Sequence, residues 1–383
     1  MKVTVSVLGR FHAFNLAHQL QKRNSLDALN TSYMYPVVRR FGVDRKFVHS
    51  LGYLDVLARC LKKSPWQVVN DANTNLWFAK QFDRAASDCL NQVGDVFVGW
   101  SGSNLETLKK AKSMGAVTIV ERGSSHMAHQ HQVLTSEYER WGLSFAATHS
   151  EIYERELEVY ALADYVSIPS LYVKRSFVEQ GVPASKLIHV PYGTSLESFY
   201  QQPKEDSTFR VIHCGALSLR KGVQYLLQAF YELNLPDAEL WLVGSITPEI
   251  QPFIEKYHSD RIIYKGHQPQ SRLSWLYSQC SVFCLASIEE GLAMVQPQAM
   301  ACGLPVIHTT NTGGEDIVRD GLDGFCIPIR DVDALKEKIL YLYQYPNVRQ
   351  EMSNNALSQA SEALSWDTYG DKIVETYSTA LAA

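Results

Sequence analysis

The sequence predicts an α/β protein of two Rossmann-like, doubly wound domains facing each other across a cleft, and three observations carry that reading. Short apolar runs alternate with longer amphipathic stretches along the chain, as parallel α/β construction requires. The alternation restarts after a polar, breaker-rich segment near residue 200. At 383 residues the chain is also too long for one ordinary core and comfortable for two.

In the first half, residues 3–8, 96–100, 117–120 and 165–169 read as buried parallel strands, with amphipathic helices such as 104–113 between them. The second set of strands is expected at 209–214, 239–243, 262–264, 282–285 and 305–308, alternating with helices at 223–234, 271–279, 296–301 and 332–345. The linker is residues 200–207, YQQPKEDS, which divides a first domain at 1–200 from a second at 201–364. Residues 365–383, with Trp366 and Tyr369 ahead of a helical pattern, are expected to cross back and pack on the first domain. Ligands of such sheets bind beyond the carboxyl ends of the strands, so two facing sheets make a cleft between them.

Hydrophobic residues at 46% and charged residues at 20% exclude a disordered or fibrous chain. The net charge of −4 is unevenly spread. Residues 1–70 hold eleven basic side chains against Asp27, Asp44 and Asp55, a net of +8 that leaves −12 for the remainder. Such polarity suits an anionic membrane surface or an anionic acceptor, and solvated basic helix faces account for it equally well. Seven cysteines without a C-x-x-C pair, several in apolar surroundings, favour a reducing compartment. The first residues, MKVTVSVLGR, alternate like a strand, and no run of about 18 apolar residues occurs. A cytoplasmic location is therefore expected, with peripheral contact on the inner face of a membrane left open and no nucleic-acid partner.

Two motifs carry chemistry. Residues 209–230, FRVIHCGALSLRKGVQYLLQAF, form a strand, a loop opening at Gly215, and an amphipathic helix. Arg220 and Lys221 beside a helix N-terminus suit phosphate, because free N–H groups and two full positive charges converge there. Residues 281–303, SVFCLASIEEGLAMVQPQAMACG, place Glu289 and Glu290 in a loop after a strand, followed by Gly291, which permits close backbone approach. Glu290 and Gln298 can bond sugar and ribose hydroxyls.

Together these motifs resemble those of the retaining glycosyltransferases of family 4, which have the GT-B fold. The family's Gly-Arg-Leu…Lys-Gly loop appears as Gly215-Ala216-Leu217…Lys221-Gly222, and its Glu-x7-Glu motif as Glu290-x7-Gln298. AMACGLPVI at 299–307 and TGGEDIV at 312–318 complete the match, and the turn at Asp323-Gly324 also fits. In the first domain EVYALADYVSIPSLYVKRSF and KLIHVPYGTSLESF are similar to the family's helix-strand-linker region. Two positions depart from the pattern: Ala216 replaces the phosphate arginine, for which Arg220 could substitute, and Gln298 replaces the ribose-gripping glutamate.

The basic first domain suits a saccharide or lipid-linked acceptor, and bacterial polysaccharide or glycolipid synthesis is the expected setting. The resemblance implies transfer of a sugar, with retention, from a nucleotide-diphosphate sugar to an acceptor hydroxyl, without a metal or other cofactor. It assigns phosphate stabilisation to Arg220 and Lys221, sugar orientation to Glu290, and sugar contact from the opposite domain to His126. Gly215, Gly291, Leu292, Ala293, Gln298 and, in the base-reading loop 265–270, His267 fall on the donor side. Gly9, Arg10 and Arg122 fall on the acceptor side, with Arg122 as suited to pairing with a carboxylate. His126, His129 and His131 have an H-x-x-H-x-H spacing, but no carboxylate completes a metal set nearby. Two other readings stay open: a sugar-nucleotide epimerase, and a non-catalytic nucleotide-sugar or carbohydrate-binding protein, the latter motivated by Ala216 and Gln298. A dinucleotide-dependent dehydrogenase is disfavoured, since no G-x-G-x-x-G follows a first strand.

Overall fold

The structure, a computed structural model, describes residues 1–62 and 72–383. Of the basic set in the first 70 residues, Lys63 and the side chains of Arg59 and Lys62 fall outside the described residues. Among the described residues seven parallel strands build the first sheet: β1 (Val3–Val7), β2 (Leu26–Thr31), β3 (Val48–Ser50), β4 (Val96–Trp100), β5 (Val117–Glu121), β6 (Tyr165–Ile168) and β7 (Leu187–His189). Their order is β3-β2-β1-β4-β5-β6-β7. The second sheet holds β8 (Phe209–Cys214), β9 (Ala238–Val243), β10 (Ile262–Gly266), β11 (Val282–Leu285), β12 (Val306–Thr309) and β13 (Gly324–Ile327), in the order β10-β9-β8-β11-β12-β13. Both are doubly wound, and both reverse direction beside their first strand.

That reversal positions the site. The crevice of a doubly wound sheet opens where the strand order reverses, between β1 and β4 in one sheet and between β8 and β11 in the other. The loops leaving β1 and β8 therefore run into the two crevices. Gly9 and Gly215 open those loops with φ of +99° and +147°, which a side chain would strain.

The strands read as continuous apolar runs match the structure to within a residue or two, because both faces of a parallel sheet are covered. β1, β4 and β8 are buried along their whole length. β2 escapes the apolar pattern because Asp27 and Asn30 interrupt it: Thr4 Oγ1 donates to Asp27 at 3.0 Å across to β1. β3 and β7 are three-residue edge strands, too short for a periodic signal, and β13 begins at the Asp323-Gly324 turn.

Residues 190–208 cross between the domains. Thr194 forms an isolated bridge with Ser365, so the outgoing and returning crossings lie side by side. A Cβ on Gly193 would meet the Ser365 carbonyl oxygen at 2.5 Å. The final helix, Trp366–Ala382, packs on the helix Ala13–Lys22 of the first domain. Arg23 holds Asp371 at 2.7 Å, and Tyr377 donates to Glu121 at 3.0 Å.

The loop after β8 is fixed by backbone proximity. Gly222 has φ +65°, and a Cβ there would lie 1.8 Å from the Ala286 carbonyl oxygen. Ile288 N donates to Arg220 O at 2.8 Å, so the loops after β8 and β11 run alongside one another. Gly222→Ala is expected to destabilise the fold by about 2 kcal/mol or more, since it combines backbone strain with an overlap that only backbone movement relieves. Chemical denaturation measures it, and a loss under about 0.5 kcal/mol would show that the loops yield easily.

Candidate functional site

The two basic and two acidic residues of the motifs meet as two crossed ion pairs. Arg220 Nη2 lies 2.8 Å from Glu289 Oε2, and its Nε donates to the Glu289 carbonyl at 3.1 Å. Lys221 Nζ pairs with Glu290 Oε1. Neighbours in sequence, they have different surroundings. Glu289 is fully buried, while Lys221 and Glu290 keep part of their surface open.

Glu289 ties the domains together. Ser125, in the loop after β5, donates to Oε1 through its backbone N at 3.1 Å and its hydroxyl at 2.7 Å. Gln130 Nε2 donates to Oε2 at 2.9 Å. Burial alone would raise the carboxyl's pKa, but Arg220 and the bonds from Ser125 and Gln130 hold it below the ordinary value. Next to it, Gly291 packs so closely on Gly123 of the first domain that a Cβ would fall 1.7 Å from the Gly123 carbonyl oxygen. Ser170 donates to Gly291 O at 2.7 Å.

A second buried carboxylate repeats the arrangement. Glu137, on the helix Met127–Arg140 of the first domain, accepts from Gln224 at 2.9 Å, from Tyr225 at 2.7 Å and from Arg330 at 2.6 Å, all on the second domain. Neither Glu137 nor the joining role of Glu289 carries a sequence signal, because their partners lie 87 to 193 and 159 to 164 residues away.

Between the domains lies a cavity of about 1010 Å³. From the sequence assignments it collects Arg10, Arg122, His267 and Gln298. Gly215, Arg220, Lys221, Glu290, Gly291, Leu292, Ala293 and Gly9 stand outside its lining, the first six of these clustered around the crossed pairs or next to them. Gly9 donates through its backbone N to Ser32 Oγ at 3.2 Å. Leu292 and Ala293 are buried.

Three of the assigned residues have partners within the protein. Arg220, expected as the replacement for the absent arginine at Ala216, is engaged twice by Glu289, so its charge is already neutralised by a buried carboxylate. His126, expected to face a donor sugar, caps the helix Met127–Arg140: its Nδ1 accepts from Ala128 N at 3.2 Å. Its ring packs on Tyr160 and Phe177, outside the cavity lining, and burial, with Arg122 adding to it, pulls its pKa down to about 4. Arg122 takes the carboxylate-pairing role, 2.8 Å from Glu156, while still reaching the cavity wall.

His126, His129 and His131 do not converge. His129 pairs with Glu179 at 3.2 Å, and His131 sits against Phe145 and Tyr153. Among the described residues no group of three or more His, Cys, Asp or Glu side chains is placed to hold a metal ion. Among the same residues no helix is long and apolar enough to cross a membrane.

Residues 195–359 match the profile of glycosyl transferases group 1. That stretch, which holds both motifs and the crossed pairs, belongs to the glycosyl transferases group 1 family. Over 243 residues, 56% of its length, the chain is 26% identical to a GDP-mannose-dependent alpha-(1-6)-phosphatidylinositol monomannoside mannosyltransferase of Mycolicibacterium smegmatis. It is 24% identical over 242 residues, 55% of the chain, to a lipopolysaccharide 1,2-N-acetylglucosaminetransferase of Salmonella typhimurium. The match spans only about three fifths of those relatives, 62% and 61% of their lengths. Whole-chain likeness comes from solved structures. Sucrose-phosphate synthase from Thermosynechococcus elongatus superposes with a TM-score of 0.73 at 17% identity, covering 100% of this chain and 99% of its own. Anabaena HepE in complex with UDP-glucose gives 0.69 at 16%, covering 99% of this chain and 100% of its own. The fold is GT-B.

Glu289→Ala is expected to cost about 3 kcal/mol, the low end for breaking a buried ion pair, because Arg220 stays partly solvated. The sign of the pH dependence follows from its lowered pKa. The contribution is present above the ordinary carboxylate value near 4.3 and is lost as pH falls through the lower folded value. Unfolding measured from pH 7 downward should therefore show a constant gap between variant and wild type that closes only in strong acid. A gap that closed by pH 5 would mean that the carboxylate is not held in this way.

Proposed function

We propose that the protein is a retaining hexosyltransferase that moves a sugar from a nucleotide-diphosphate sugar to an acceptor hydroxyl. The observation that carries this is the Lys221–Glu290 pair, partly open, at the N-terminus of the helix Val223–Leu233 and at the strand-order reversal of the second sheet. An incoming diphosphate competes with Glu290 for Lys221. Once displaced, Glu290 is free to accept hydroxyls of the donor sugar. The lysine and the helix N-terminus then meet charge that grows on the diphosphate as the glycosidic bond breaks. Lys221 supplies this stabilisation without a metal ion, and the diphosphate's own oxygen takes the acceptor proton on the face from which it departs, which retains configuration. Gln298 and His267, on the cavity wall, contact ribose and base.

Lys221→Ala is expected to lower turnover by about 100-fold or more with little change in stability, since one well-placed charge-stabilising donor is worth that much. Acceptor-dependent nucleotide release from a panel that includes UDP-glucose and GDP-mannose measures it, and near-normal transfer by the variant sinks the phosphate assignment. Ala216 and Gln298 favour a second reading, a binding protein without turnover. Nucleotide-sugar binding by the wild type with no release, whatever the acceptor, would select that reading. Isomerised sugar without an acceptor would select an epimerase.

The acceptor is a saccharide of a bacterial surface polysaccharide or glycolipid, held at the inner face of a membrane. Supporting this, an apolar groove of about 710 Å³ runs along the helix Tyr53–Lys62 and is lined by Met34, Tyr53, Val56 and Leu57. All four are exposed, and Arg39, Arg40, Arg45 and Lys46 stand exposed on the same domain, Arg45 on the groove itself. Exposed apolar groups beside cations match a surface of anionic lipid. Neutralising Arg39, Arg40, Arg45 and Lys46 together is expected to abolish co-sedimentation with phosphatidylglycerol vesicles, and unchanged partitioning removes the membrane reading.

A further inference from the structure

The cavity contains a histidine that the transfer scheme above leaves unused. His12 follows β1 and stands as N-cap to the helix Ala13–Lys22, yet its side chain makes no capping bond. Instead its Nε2 lies 3.2 Å from Oε2 of Glu121, at the end of β5. Tyr377, from the chain's last helix, donates to the other oxygen of Glu121 at 3.0 Å. The three groups come from residues 12, 121 and 377, and none shows a motif in sequence.

Packing, more than the nearby carboxylate, fixes the imidazole. The Tyr192 ring lies 4.1 Å from it, Trp100 5.0 Å and Tyr369 6.3 Å. His12 is 8% exposed and Glu121 1% exposed, and both line the 1010 Å³ cavity with Tyr192. The Tyr192 hydroxyl is buried and has no hydrogen-bond partner among the described residues. Its pKa is driven up by burial and by Glu121, so it stays a neutral donor. No hydrogen bond engages either ring nitrogen of His12 among those residues: Nε2 stands close to Glu121 without bonding geometry. A buried hydroxyl without a partner costs free energy comparable to a lost hydrogen bond, and a ligand group that bonds it recovers that cost.

We propose that His12 and Tyr192 form the subsite that binds the acceptor sugar's hydroxyls, with Glu121 and Tyr377 as positioning residues. With its Nε2 edge on Glu121, His12 presents Nδ1 to one hydroxyl, while Tyr192 donates to a neighbouring oxygen. This places the acceptor on the wall opposite Gln298 and His267, which line the same cavity from the second domain. The helix that returns after both domains are built thereby sets the geometry of a site in the first. The inference rests on the transferase reading and names a binding surface that this reading leaves open.

The test uses saturation-transfer NMR of octyl α-mannoside and octyl N-acetyl-β-glucosaminide with the full-length protein, alongside calorimetric binding of UDP and GDP. His12→Ala and Tyr192→Phe are expected to weaken glycoside binding at least tenfold, with nucleotide affinity within twofold of wild type. Tyr377→Phe, which keeps the packing and deletes one bond, is expected to weaken glycoside binding several-fold in the same selective way. A merely structural role would lower nucleotide and glycoside binding together. Unchanged glycoside binding in His12→Ala, or no binding of either glycoside by the wild type, overturns the subsite. Failure of the wild type to bind either nucleotide counts instead against the transferase reading.

Discussion

The buried carboxylate of Glu289 is the constraint from which the interdomain architecture follows. A charge fully removed from water is tolerable only when paired and hydrogen-bonded, and Glu289 draws its partners from both domains. Neither domain alone satisfies it. Arg220 supplies the charge from beside it in the second domain, and Ser125 and Gln130 supply three hydrogen bonds from the first. The Gly291–Gly123 approach is a consequence, because a side chain on Gly291 would hold Ser125 away from the carboxylate. Glu137, facing Gln224, Tyr225 and Arg330, pins the same interface with donors and acceptor reversed in origin.

That requirement also separates residues that look equivalent in sequence. Arg220-Lys221 and Glu289-Glu290 are adjacent cations and adjacent carboxylates, and the loops bearing them run alongside through the Ile288–Arg220 backbone bond. Successive side chains leave such loops in different directions. One pair turns into the interface and is structural; the other keeps part of its surface open. Only the second can respond to an anion without breaking the domain contact.

The same distinction explains what the sequence could and could not reveal. Parallel strands covered on both faces leave runs such as VFVGW and FRVIHC that read directly, and the strand-loop-helix order after β8 follows from them. β2 was hidden because Asp27 and Asn30 interrupt its run, and β13 because it emerges from a turn. For the site, residue type and spacing put Lys221 and Glu290 in neighbouring loops, but could not tell the fully buried Glu289 from the partly buried Glu290. His126 illustrates the limit: the resemblance implied a sugar contact, yet a residue entering a helix there is equally placed to cap it. His12, Glu121, Tyr192 and Tyr377 were silent because the fold alone brings them together.

The chain's return gives the two domains unequal dependence on one another. The linker leaves the first domain at Thr194 and the chain comes back at Ser365, hydrogen-bonded side by side and with no room for a Cβ at Gly193. Any rotation of one domain over the other is therefore pivoted close to this double crossing. The helix beyond it travels with the first domain, held by Arg23–Asp371 at the surface and by Tyr377–Glu121 inside. The Tyr377–Glu121 bond, with His12 beside it, is thus made without any group of the second domain. Cleft geometry then depends on two buried carboxylates, Glu289 and Glu137, that draw partners across the interface, and on one double backbone crossing.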